Sequence, residues 1–174
     1  MLELAILGFL YDAPLHGYEL RKRITALTGH VKPVAESTLY PAIKRLENAG
    51  LLARSTEPGA VAAPRHVLTL TEEGRRDLRR RLAEPTQRDI TDENRWFTLL
   101  AFLRHLRDAP AQAAVLRRRL AFLEEPASFF YEGDRPLSAE EVDDPFRRGI
   151  LTIARATTRA ELTWLRDTLA SLDG

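Results

Sequence analysis

The sequence predicts a mainly α-helical chain with one small β-hairpin, ordered as an N-terminal winged helix-turn-helix followed by a C-terminal α-helical region. Three observations predict it. Apolar residues recur at spacings of three and four through most of the 174 residues. Two short strand-like runs, 51–56 and 66–71, flank a loop rich in breakers, Glu57-Pro-Gly-Ala-Val-Ala-Ala-Pro64. That hairpin follows three helices and precedes a fourth.

The first helix, about 3–12, is apolar almost all round and is expected to be buried. Asp12-Ala-Pro14 stops it, because the residue before proline avoids helical dihedrals. The second, about 17–27, places Leu20, Ile24 and Leu27 on one face and ends at Thr28-Gly29. In the third, Thr38 is the expected N-cap, since Pro41 then falls where no intrahelical N–H bond is required. Leu39, Ile43 and Leu46 form its inner stripe, and Gly50 closes it. Thr71 caps the fourth helix, and Arg79, Arg80 and Arg81 suit the negative end of its dipole.

Pro85 to Asp92 reads as a linker, dividing a domain at 1–84 from a helical region at 85–174. Beyond it, 93–107 is amphipathic, with Trp96, Leu99, Leu100, Leu103 and Leu106 on one face. A helix from Pro110 to about Glu124 turns Leu116, Leu120 and Leu123 inward. Residues 126–145, with three prolines, read as a loosely packed connector. A long last helix, about 145–172, carries Ile150, Ile153, Ala154, Thr157, Glu161, Trp164 and Thr168 along one stripe.

Net charge is +1, but it is uneven: residues 1–83 carry 13 Lys and Arg against 9 Asp and Glu. With no cysteine, disulfides, thiolate metal sites and a cysteine nucleophile are excluded. The four histidines sit at no catalytic or metal-ligating spacing, so neither catalysis nor a cofactor is expected. The longest apolar run, Leu4 to Tyr11, is far shorter than the roughly 18 residues of a membrane span. It lacks the basic flank and cleavage pattern of a secretory signal, and the expectation is a soluble cytoplasmic protein.

Three segments in order carry a resemblance: Leu15-His-Gly-Tyr-Glu-Leu20, then Ser37-Thr-Leu-Tyr-Pro-Ala-Ile-Lys-Arg-Leu-Glu-Asn-Ala-Gly-Leu51, then Leu70-Thr-Glu-Glu-Gly74. Together they resemble the PadR family of transcriptional regulators. Leu100 to Leu106 and Thr158 to Leu165 look like the helical C-terminal region of its longer members. The resemblance implies a homodimer that binds operator DNA and a repression relieved by a small molecule. One departure is visible: the wing reads Ala62-Ala63-Pro64-Arg65-His66, where similar proteins often carry a more basic turn.

A helix that enters the major groove needs a narrow exposed face of hydrogen-bonding side chains. Ser37, Thr38, Tyr40 and Lys44 supply that face, with Pro41 beside them and Arg45 on the margin. Hydroxyls near a helix start suit a phosphate, and Lys44 can reach a guanine or a phosphate. Tyr18 opens the helix that crosses the DNA backbone in this architecture, and Arg65 is the wing's contact. Since one copy reads half a site, the partner is double-stranded DNA with an inverted repeat, and the C-terminal helices form the dimer. Trp96, Phe97 and Trp164 are candidates for a pocket that takes a small hydrophobic or aromatic effector. The other reading is a winged helix used only for protein contacts.

Overall fold

The computed structural model describes residues 1–27, 34–57, 65–126 and 128–173, with Glu57 and Arg65 described by their backbone alone. The chain forms two compact units, Met1–Arg107 and Asp108–Gly174. The first extends past the expected boundary at residue 84.

In the first unit the elements are α1 (Leu2–Asp12), β1 (Leu15–His16), α2 (Gly17–Leu27), α3 (Glu36–Asn48), β2 (Leu52–Glu57), β3 (Arg65–Leu70), α4 (Glu72–Ala83), α5 (Gln87–Thr91) and α6 (Glu93–Phe102), then a 3₁₀ turn at Leu103–Leu106. Helix α1 packs against α2, α3, α4, α6 and β3, which explains why it is apolar all round. Its approach to α6 depends on Gly8: a Cβ there would lie 2.4 Å from the Phe102 ring. The sheet is antiparallel in the order β1-β3-β2, with Leu15 opposite Leu68 and Leu52 opposite Leu70. β1, two residues long, exists only by pairing with β3.

Two local predictions are met in detail. Gly50, at φ +71°, closes α3 in a Schellman motif: its N–H donates to the Glu47 carbonyl and that of Leu51 to the Leu46 carbonyl. The Thr71 hydroxyl accepts from Gly74 N–H at 3.0 Å and donates to the Gly50 carbonyl at 2.7 Å, joining the start of α4 to the end of α3.

Three expectations are corrected here. Helix α3 begins at Glu36 with Ala35 as N-cap, so Ser37 and Thr38 lie inside its first turn and Pro41 lies within the helix. The entry is held from outside: Arg21 on α2 donates to the Val34 carbonyl at 3.1 Å and pairs with Glu36 at 2.6 Å. The expected linker at 85–92 contains α5, closed by a capping box between Thr86 and Asp89, with Ile90 buried. Burial opposes ionisation of Asp89, yet hydrogen bonds from Thr86 and Arg95 hold its carboxyl below the usual carboxylate range. Finally, Arg79 and Arg81 have specific partners beyond the dipole. Arg79 donates to the Tyr11 hydroxyl at 3.0 Å, and Arg81 pairs with Asp77 and Glu3. The Thr28-Gly29 stop and the tip of the wing lie outside the described residues.

His105 is buried against Tyr11 and Phe102. Burial lowers its pKa below 6.5; Asp12, 3.6 Å away, opposes this, and Arg104 and Arg107 assist it. The unfolded chain therefore takes up this proton at higher pH than the folded one. The stability His105 contributes is complete above about pH 6.5 and is lost as pH falls toward the depressed folded value. We expect denaturant midpoints to fall between about pH 7.5 and about pH 5.5, and to fall less in His105→Phe. Equal acid sensitivity in the two proteins would assign the effect to other groups.

The second unit comprises α7 (Ala109–Glu124), the two-residue strands β4 (Tyr131–Glu132) and β5 (Arg135–Pro136), a 3₁₀ turn at Ala139–Glu141, and α8 (Pro145–Asp173). Asp108 caps α7 by accepting from Ala111 N–H. The pairs Arg117–Asp173 and Arg166–Glu124 run α7 and α8 antiparallel. Between these helices, Arg119 forms a two-pronged pair with Glu161 at 2.8 and 2.9 Å. The expected loose connector at 126–145 instead contains the β4–β5 hairpin, turned at Gly133. It also holds a small core in which Phe130 and Leu137 pack on Ala139, Val142 and Leu151. The last helix buries Leu151, Leu165 and Leu169, while Phe146, Ile150, Ile153 and Trp164 are exposed.

Candidate nucleic-acid interface

Helix α3 divides cleanly into two faces. Leu39, Ala42, Ile43 and Leu46 are buried, so the inner stripe is as expected with Ala42 added. Ser37, Thr38, Tyr40, Pro41 and Lys44 are exposed. The amphipathic period therefore leaves one narrow polar strip facing away from the core. Pro41 has no N–H to donate to the Ser37 carbonyl, so the first turn of α3 carries one acceptor that the helix does not use.

Tyr18 and Tyr40, far apart in sequence, line one open cleft of about 460 Å³. Tyr18 is 74% exposed and Tyr40 46%. They are brought together because Gly17, the residue before Tyr18, lies against the Tyr40 ring. A Cβ on Gly17 would sit 3.4 Å from the ring edge. Ile43 and Leu68 form the apolar part of the cleft, and His16, Arg54 and His66 the polar part.

Those last three residues were not foreseen. His16 Nδ1 donates to the His66 carbonyl at 3.1 Å, tying β1 to β3, and Thr56 Oγ1 lies 3.4 Å from His66 Nδ1. Arg54 is held by a fork to Glu47 at 2.7 and 3.0 Å. Position along the strand can place Arg54 on one side of the hairpin, but only the strand pairing brings His16 beside His66.

The remaining candidates differ in what they are free to do. Lys44 makes no ion pair among the described residues. Arg45 pairs with Glu3 at 3.1 Å, a contact that ties α3 to α1. Arg65 opens β3 opposite Glu57. Trp96 is 0% exposed in the core of the first unit, while its neighbour Phe97 on α6 is exposed. Trp164 belongs to the second unit, exposed on α8.

Three helices, an antiparallel sheet with its hairpin, and an exposed polar strip on the third helix define a winged helix-turn-helix domain of the kind used by transcriptional regulators. Residues 6–80 match the model of the transcriptional regulator PadR-like family. Among solved structures, the chain is similar to a PadR family transcriptional regulator from Eggerthella lenta, 38% identical over 43% of this chain and 65% of that one, with a TM-score of 0.36. It is also similar to Bacillus subtilis PadR in complex with operator DNA, at 22% identity, 98% coverage of each chain and a TM-score of 0.45. The same protein with p-coumaric acid aligns at 23% identity, 99% coverage of each chain and a TM-score of 0.43. No curated protein matches the chain. Among the described residues no helix is long and apolar enough to cross a membrane.

Proposed function

We propose that this chain is a homodimeric repressor that binds an inverted-repeat operator and leaves it when a small molecule binds. The observation that carries the reading is the exposed strip of α3, where Lys44 is free of ion pairs among the described residues and Tyr40 shares a cleft with Tyr18. In this reading Ser37 and Thr38 bond phosphate oxygens near the start of α3. Lys44 reaches a base edge or phosphate, Tyr18 and Tyr40 rest on the sugar-phosphate backbone, Pro41 shapes the first turn, and Arg65 contacts DNA from the wing. Arg45 reaches DNA only by leaving Glu3, which ranks it below Lys44.

We assign DNA binding to residues 1–84 and dimerisation with effector response to 85–174, although α5 and α6 belong structurally to the first unit. The exposed Phe146, Ile150, Ile153 and Trp164 of α8 support this dimer role, because an apolar face of that extent gains free energy by leaving water. A two-fold dimer sets its half-sites about 34–36 Å apart, one turn of DNA, or a multiple of it.

The test is a fluorescence anisotropy titration with DNA from upstream of the protein's own gene, repeated over a range of salt. Lys44→Ala is expected to weaken binding roughly tenfold and to reduce the salt slope by about 1 per half-site. Unchanged affinity at every salt concentration removes Lys44 from the interface. No binding by the unaltered protein at low salt, where phosphate contacts are strongest, favours a protein-interaction role instead.

A further inference from the structure

The groove in the second unit is built differently from the DNA-facing cleft. It encloses about 670 Å³ between the end of α7, the hairpin segment and α8. Phe122, Leu123, Leu137, Leu151 and Leu162 contribute apolar wall. Specific small-molecule sites are of this kind and size, about 300–1,000 Å³, mostly apolar with a few placed polar groups.

The charged groups at the groove are Arg155, Arg159, Arg166 and Glu125. Arg166 is neutralised by Glu124 at 2.7 Å, and Arg155 comes only within 3.7 Å of Glu140. Arg159 has no carboxylate partner among the described residues. An apolar wall beside an uncompensated guanidinium suits one kind of molecule: an apolar body that ends in a single acidic group. A neutral molecule leaves Arg159 unanswered, and a small inorganic anion leaves the wall in water.

We propose that this groove binds an amphipathic organic anion, its apolar body along Phe122, Leu151 and Leu162 and its acid group on Arg159. Arg155, turned from Glu140, is the second donor. Trp96 and Phe97 have no part in this site. Its role as the effector site rests on the regulator reading above; the binding itself does not.

Decanoate and decanol share a chain and differ at the head group, so isothermal titration of the full-length protein with each separates the two contributions. Decanoate is expected to bind at least tenfold more tightly than decanol, as a charge-assisted contact in a partly dry site requires. Arg159→Gln, a change at an exposed position, is expected to erase that difference and leave decanol affinity unchanged. Leu162→Trp, which fills the groove, is expected to abolish both, with the thermal midpoint as the check on folding. Equal affinities for the two probes, or a decanoate affinity indifferent to Arg159→Gln, overturn the proposal. So does binding that appears only on dilution below the dimer dissociation constant, because the groove would then be covered by a second copy. DNA is absent from these measurements, so failure of operator binding leaves their outcome untouched.

Discussion

Trp96→Ala is expected to cost about 3–5 kcal/mol of stability, the range for removing a large aromatic side chain from a packed core. The indole is 0% exposed, on the same side of α6 as Leu99 and Phe102. Those residues lie in the unit where α1 meets α6 and Gly8 lets the Phe102 ring approach the backbone. Interiors pack as densely as organic crystals, so the space left by an indole is only partly refilled. Urea unfolding followed by circular dichroism reads the loss, and Trp96→Phe should lose distinctly less. Phe97→Ala, one residue away on the exposed side, should change stability little. Should Trp96→Ala keep its urea midpoint while changing the response to an added ligand, the core assignment of Trp96 fails.

Glu161→Ala is expected to cost about 3–5 kcal/mol as well, for an electrostatic reason. Arg119 is only 4% exposed, and its two-pronged contact with Glu161 supplies a carboxylate to that guanidinium. Removing the carboxylate takes from a buried positive charge the Glu161 carboxylate that helps to offset its desolvation. The pair as a whole need not be strongly stabilising, because dehydrating two ions opposes their attraction. A double variant, Arg119→Met with Glu161→Leu, is therefore expected to recover most of what Glu161→Ala loses. Thermal unfolding of the single and double variants measures this directly. A double variant as unstable as the single one would place the loss in packing of α7 on α8.

Both predictions concern residues whose roles were only half legible in the sequence. Spacing alone put Trp96 on an apolar face, but it could not separate a core tryptophan from one that lines a pocket. Glu161 was read as one position along a largely apolar stripe of the last helix. A carboxylate at an apolar spacing is a signal that a cation faces it, and Arg119 was available forty-two positions earlier. Only the antiparallel seating of α7 and α8 makes them neighbours. On the proposed DNA face, the inner stripe of α3 and the exposure of Tyr40 and Lys44 followed from helical period, which is a local rule. The contribution of His16 and His66 did not, since they meet through strand pairing across fifty residues.

The sequence by itself determined the features whose energetics close within a turn or two of chain. These are the Thr71 cap on Gly74 N–H and the left-handed Gly50, each satisfied by neighbours a few positions away. The helical periods of α1, α2 and α3 were equally legible, although other elements bury their apolar stripes. Tertiary structure decided where long-range partners outweighed local preference. Arg21 draws the start of α3 back to Glu36 although Pro41 favours a later start, and the small core under residues 130–142 orders a segment whose prolines suggested otherwise. In each of these cases the residue that settles the matter lies on another element. Its contribution enters only when the chain is compact, so no window of sequence contains it.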